Sequence, residues 1–297
     1  MIELAEVAER RSFDGVDVRL NAWDFGGQGP VMLMHHANGL AAALWAPVAL
    51  SMLQHYRVIA LDARGHGDSD NIQVPQQLNW RLMVEDAVRV LEQVCQLCQV
   101  DHVAHGVGSS FGGIILAAAS AEQPDRLRRV TMLDPPIHPD PETVARLGME
   151  MPDHEFSRDT LVAQTLKRKS VWASRQQAHD AWRSKPLFAP WQDDAFDLYI
   201  AEGLGEREDG QVELKCNPEV EAHIFATTGS LGVMEYAPKV QVPVTLVHAR
   251  DGYFPEVFFR ALAKVFPHGE FLQMAGGHML PMECPEDVIA LLKSLPS

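Results

Sequence analysis

The chain has 297 residues, 46% of them hydrophobic, and a formal net charge of −15. That length suits one large α/β domain carrying an inserted subdomain, or two ordinary domains, and the apolar content is enough to bury a sizeable core. A surface this acidic repels phosphate backbones and anionic lipid headgroups, so nucleic-acid and membrane-surface partners are set aside in favour of a small-molecule substrate.

The opening segment MIELAEVAER is acidic and lacks the apolar stretch of a signal peptide, and no later run reaches membrane-spanning length. Residues 1–30 read as strands joined by tight turns at Asp14-Gly15 and Gly26-Gly27. A short apolar run at 31–34 enters His35-His36-Ala37-Asn38-Gly39, and a second at 58–61 ends at Asp62 and the loop ARGHGDSD. Residues 80–98 have the spacing of a long amphipathic helix. A strand over 102–107 runs into Gly108-Ser109-Ser110-Phe111-Gly112-Gly113, a helix of small residues follows over 114–121, and a strand over 130–133 is closed by Asp134-Pro135-Pro136.

The character then changes. Residues 138–237 read as helical pieces rich in Trp, Met, Arg and Glu, broken by Pro152, Pro186 and Pro190, with one hairpin at Asp209-Gly210. After Pro243 the alternation returns, with strands at 244–247 and 270–274 and helices at 256–265 and 286–295. Short apolar strands alternating with helices predict a mostly parallel sheet covered on both faces. The expected division is a core of residues 1–137 and 238–297, with a helical cap over 138–237.

Cys95 and Cys98 continue the apolar stripe of Val84, Val88 and Leu91, so they read as core cysteines rather than a redox or zinc pair. With Cys216 and Cys284 they make a low, unpaired count that suits a reducing cytoplasm.

The sharpest signal is G-x-S-x-G at Gly108–Gly112, between a strand and a helix. A tight strand-to-helix turn needs small residues two before and two after the nucleophile. Ser110 meets that condition through Gly108 and Gly112, whereas Ser109 would place Val107 and Phe111 there. The helix that begins here aims free N–H groups at a developing oxyanion. A serine hydroxyl also needs a base. Ala275-Gly276-Gly277-His278 is a loop of small residues after a strand, able to bring His278 over the turn. Two carboxylates end strands on that side, Asp134 and Asp251. The oxyanion donors expected are the N–H of Phe111 and one from the 35–39 loop, at Asn38 or its neighbour Ala37. The doubled His35-His36 has no carboxylate or third histidine at ligand spacing, so neither a metal nor a cofactor is expected.

Four motifs in order make the chain resemble the soluble, cap-bearing branch of the α/β-hydrolase superfamily: HHANG, Asp62-x-Arg64-Gly65-His66-Gly67-x-Ser69, the turn at Ser110, and Gly277-His278. The resemblance covers nearly the whole chain. It implies a mostly parallel sheet of eight strands with the helical cap inserted after the sixth. It favours Asp251 over Asp134 as the acid that orients His278, and it makes the Asp62–Ser69 loop structural. One departure is Ala37, where the family commonly has glycine, so the oxyanion loop is expected to follow a different path.

The resemblance implies a serine hydrolase working through an acyl-enzyme on an ester or lactone, and the aromatic and Met residues of the expected cap point to a small to medium-sized, largely apolar one. The same triad in relatives also serves C–C bond hydrolysis, amide cleavage and cofactor-free peroxidation, and some members of the fold are ligand receptors with a weak triad. Relatives that open epoxides or remove halides use an aspartate nucleophile, and Ser110 argues against both. Trp172, Trp182 and Trp191, with Phe156, Phe188, Phe196, Met149 and Met151, are candidates to roof an apolar pocket, together with Met279 beside His278.

Overall fold

Apolar runs too short to form helices become the strands of one sheet. In the computed structural model, which describes residues 2–138, 141–146 and 158–296, the strands in chain order are β1 (Glu9–Asp14), β2 (Arg19–Gly26), β3 (Val31–His35), β4 (Arg57–Leu61), β5 (His105–Ser109), β6 (Val130–Leu133), β7 (Val171–Trp172), β8 (Leu204–Glu206), β9 (Val212–Leu214), β10 (Val244–Ala249) and β11 (Gly269–Met274). Eight of them form one sheet in the order β1-β2-β4-β3-β5-β6-β10-β11. β1 and β2 run antiparallel to their neighbours, and the other pairings are parallel. Every residue of β3, β5, β6 and β10 is buried, as expected of central strands covered on both faces. β1 is mostly exposed and β11 is half-buried, which marks the two edges.

The covering helices follow from their caps and stripes. Asn79 caps the helix Trp80–Cys98 by accepting from Leu82 N–H at 2.8 Å, and Met83, Val84, Ala87, Val90, Leu91 and Val94 pack its inner face. Cys95 is buried among them. Cys98 is only half-buried, at the margin of the stripe, because it lies at the helix's last turn. One segment read as strand is not: Leu4–Val7 is a short helix ahead of β1.

β6 and β10 are neighbours in the sheet, so residues 134–243 leave it and return beside their point of exit. This inserted segment includes, among its described residues, helices at Arg158–Thr165, Arg175–Trp182, Asp193–Glu202 and Pro218–Ala226. It also holds a three-stranded antiparallel sheet, β7-β9-β8, in which the Asp209-Gly210 hairpin joins β8 to β9 and β7 adds a strand that two residues of sequence do not signal.

The sheet order reverses between β3 and β5, whose following connections diverge to opposite sides. In α/β sheets a crevice forms at such a point, beyond the carboxyl ends of the strands. The loop after β3, the turn after β5, Asp134 after β6 and the segment after β10 all lie at that end.

Candidate functional site

Ser110 is the residue at which β5 becomes the helix Phe111–Glu122. Its backbone stands at φ 53°, ψ −122°, a conformation that costs energy for a residue with a Cβ and is held by the surrounding packing. The glycines make that packing possible. A Cβ on Gly108 would overlap the backbone of Gly112 and Gly113, and one on Gly112 would come 2.6 Å from the carbonyl oxygens of both His35 and His36. Ser110 Oγ lies 3.0 Å from His278 Nε2. Ser109 points the other way; its side chain is buried, and its Oγ has no partner among the described residues.

His278 Nδ1 lies 2.7 Å from Asp134 Oδ2, and this corrects the expectation that Asp251 would orient the ring. Asp134 directly follows β6, with Leu133 paired to Val247 of β10. β10 continues for two residues beyond that pairing, so Ala249 N–H reaches Asp134 Oδ1 at 2.9 Å and steers the carboxylate toward the histidine. The side chain is fully buried, at φ 45°. Gly252 completes the fit, since a Cβ there would come 2.8 Å from Asp134 Oδ2. Asp251 lies two residues past β10, where the chain has turned outward. It is exposed, its N–H donates to Gly276 O at 3.0 Å, and its Oδ2 receives Gly276 N–H at 3.4 Å.

Phe111 is the first residue of the elbow helix, where backbone N–H groups have no intrahelical acceptor. Its ring is buried against His35, His66 and Trp80. The facing loop is braced by histidines. His36 Nδ1 donates to Ala37 O at 2.8 Å, and its Nε2 accepts from Ala63 N–H at 2.9 Å. His66 Nδ1 donates to Arg64 O at 3.0 Å, and its Nε2 accepts from Gly39 N–H at 3.1 Å. For His36 those partners fix the neutral Nδ1–H tautomer, while His66 Nε2 also lies 3.2 Å from Asn38 Oδ1. Burial pushes His35 and His66 down to about 4 and His36 well below its ordinary value. The side chain of Asn38 is engaged in holding the loop, with Nδ2 donating to Glu221 O at 3.0 Å, so any donor from this residue is its backbone N–H. The left-handed residue of the loop is Gly39, at φ 77°, which is how the loop accommodates alanine at position 37.

The motif after β4 is a scaffold, as the resemblance implied. Asp62 accepts from Asn21 Nδ2, Ala42 N–H and Asp68 N–H at 2.7, 2.6 and 3.1 Å. Arg64 forms a buried two-pronged pair with Asp86, at 2.6 and 2.7 Å.

Among the described residues, the three tryptophans are not walls of the cavity that adjoins His278. Trp172, Trp182 and Trp191 are buried with Phe188, Phe196 and Tyr199 in an aromatic core of the inserted segment. Ring centroids lie 5.3 Å apart for Trp172 and Trp182, 5.8 Å for Trp182 and Phe188, and 5.0 Å for Phe188 and Trp191. Rings of this size pack face and edge against one another wherever helices cover them, which corrects the reading of these residues as substrate contacts. Phe156, Met149 and Met151 lie outside the described residues. A cavity of about 450 Å³ does adjoin His278, and Met279, Leu187, Pro186, Pro190 and Tyr253 are among its walls. The rings of Tyr253 and Phe254 flank the imidazole at 5.6 and 5.5 Å. Position along the chain gave no sign of these two, though both follow the strand end at which an acid was sought.

Residues 30–285 match the family model described as alpha/beta hydrolase fold, and the chain belongs to that family. Among curated relatives, 2-hydroxymuconate semialdehyde hydrolase of Pseudomonas sp. (strain CF600) is 34% identical over 125 residues, 41% of this chain and 42% of that protein. A putative carbamate hydrolase, RutD, of Caulobacter segnis is 29% identical over 128 residues, 43% of this chain and 46% of that protein. The match thus spans less than half the length of these relatives. The solved structure of E-2-(acetamidomethylene)succinate hydrolase superposes with a TM-score of 0.77 at 20% identity, covering 96% of this chain and 98% of the other. That likeness is one of fold. No helix among the described residues is long and apolar enough to cross a membrane.

Proposed function

We propose that the protein is a serine hydrolase that acts through an acyl-enzyme, with Ser110 as nucleophile, His278 as general base and Asp134 as the orienting acid. The observation that carries this reading is the unbroken relay from Asp134 Oδ2 to His278 Nδ1 at 2.7 Å and from His278 Nε2 to Ser110 Oγ at 3.0 Å. In it, His278 accepts the Ser110 proton as Oγ attacks a carbonyl carbon, and Asp134 holds the Nδ1–H tautomer and stabilises the imidazolium. The oxyanion is received by Phe111 N–H and a backbone N–H of the Ala37-Asn38 turn. His278 then protonates the leaving group, and water activated by the same imidazole releases the acyl group.

For substrate we propose a small to medium-sized, largely apolar ester or lactone. Support comes from the cavity of about 450 Å³, where Pro186, Leu187, Pro190 and Met279 supply apolar contact, although Asp251 and Glu283 also line it. Hydrolysis of a C–C bond is the second reading, and the 34% identity to a semialdehyde hydrolase favours it. A panel of p-nitrophenyl esters of graded acyl length, run beside a β-diketone panel, separates the two. Turnover of esters with β-diketones untouched is expected, and the reverse would replace the first reading with the second. Covalent capture of Ser110 by a fluorophosphonate tests the shared mechanism; folded protein that does not label would instead favour a ligand-binding role.

A further inference from the structure

The imidazole of His278 is anchored by Asp134 and Ser110, but its backbone sits on a loop of glycines that has little stiffness of its own. Glu283 supplies what the loop lacks. It ends the short helix Leu280–Glu283, and its carboxylate turns back under the loop. Oε2 accepts Gly277 N–H at 2.6 Å and Oε1 accepts Met279 N–H at 3.1 Å, so one carboxylate grips the backbone on both sides of His278. Gly277 permits the approach, since a Cβ there would lie 2.6 Å from Glu283 Oε2. The same turn is tied to the inserted segment: Gln192 N–H donates to Met282 O at 2.8 Å and Gln192 Nε2 donates to Glu283 O at 3.1 Å.

We propose that Glu283 is a positioning residue for the reaction: its carboxylate clamp sets where His278 Nε2 meets Ser110 Oγ, and Gln192 secures the clamp against the inserted segment. This rests on the reading of His278 as the general base. Bonds from N–H groups to an ionised carboxylate are the short, strong kind, and two on one group fix both its position and its orientation. The less interesting possibility is that Glu283 only closes the first turn of its helix, much as a capping box does. In that case substitution lowers the melting temperature but leaves the rate of the folded molecules alone.

Glu283→Gln keeps the shape and one acceptor but sets an amide NH2 against one of the two N–H groups, and Glu283→Ala removes both acceptors. With p-nitrophenyl butyrate, well below the melting temperature, kcat is expected to fall ~10-fold in the first and ~100-fold in the second, with KM within ~2-fold of wild type. The rate of fluorophosphonate labelling should fall in parallel, and the NMR resonance of the His278 Nδ1 proton shared with Asp134 should broaden or vanish. Folded variants that keep the wild-type kcat and an intact proton resonance, whatever their melting temperature, overturn the proposal. Wild-type protein that neither turns over esters nor labels would overturn the serine-hydrolase reading instead, while the proton resonance still decides whether Glu283 positions the ring.

Discussion

At Ser110 a positive φ and two flanking glycines hold the hydroxyl against the imidazole, while Ser109 faces the core. Ser110→Ala is therefore expected to abolish turnover and probe labelling in a protein that still folds, and Ser109→Ala to keep most of both. Activity assays on the two purified variants check this, and the opposite pattern would mean the nucleophile is misassigned by one residue. The acids separate in the same way. Asp134→Asn should preserve the geometry yet place the imidazole proton on the wrong nitrogen, lowering kcat by ~10⁴ on the serine-protease precedent. Asp251→Asn removes an exposed carboxylate whose acceptor contact is 3.4 Å long, so its kcat should stay near wild type. If Asp251→Asn is the inactive one, the relay in solution differs from the one described.

The elbow, the Asp62 loop and the aromatic core of the inserted segment are elements whose shape depends on a few contacts. Arg64 and Asp86 form a buried ion pair with two hydrogen bonds, and Arg64 also donates to the carbonyls of Gln77 and Val16. Removing one partner leaves the other charge buried and unpaired. Arg64→Met should thus cost about 3–5 kcal/mol, read as a fall in the urea midpoint. Trp182 packs on Trp172, Phe188 and Tyr199. Trp182→Ala is expected to cost about 3–5 kcal/mol of stability, with KM little changed in protein that remains folded. A large rise in KM without loss of stability would return Trp182 to the pocket.

For the molecule as a whole, acid sensitivity follows from its buried histidines. Burial takes His35 and His66 down to about 4 and His105 to about 3, and His36 is lowered as well. In the unfolded chain these rings titrate near ~6.5, so below that pH the unfolded state binds more protons than the folded one. Their contribution is present in full above about pH 6.5 and is lost as pH falls toward 4. Asp62 works in the opposite direction, since burial raises it from 3.8 to about 6, and Glu221 is raised too. With four histidines against two carboxylates, the urea midpoint should drop on going from about pH 7 to about pH 4.5. A level midpoint across that range would show that these rings are solvated or already charged.

How much of this was legible in the amino-acid order depends on the range of each constraint. The short apolar strands, the elbow register at Ser110 and the loop bearing His278 are local matters of apolar run length, glycine spacing and chain order, and each can be read from a few consecutive residues, whereas the number of eight strands followed from the resemblance to the α/β-hydrolase superfamily. The stripe of the helix Trp80–Cys98 was readable for the same reason, to its last turn, where Cys98 slips to the margin. The choice between Asp134 and Asp251 was not local. Both end neighbouring strands, and what decides between them is the extra length of β10, the Ala249 N–H it presents, and the absence of a side chain at Gly252. The tryptophans illustrate the same limit. Sequence marks them as large and apolar, but whether such a ring faces a cavity or another ring is decided only when helices and strands far apart in the chain pack together. Glu283 carries no motif that reveals its grip, because Gly277, Met279 and Gln192 converge on it only through the fold.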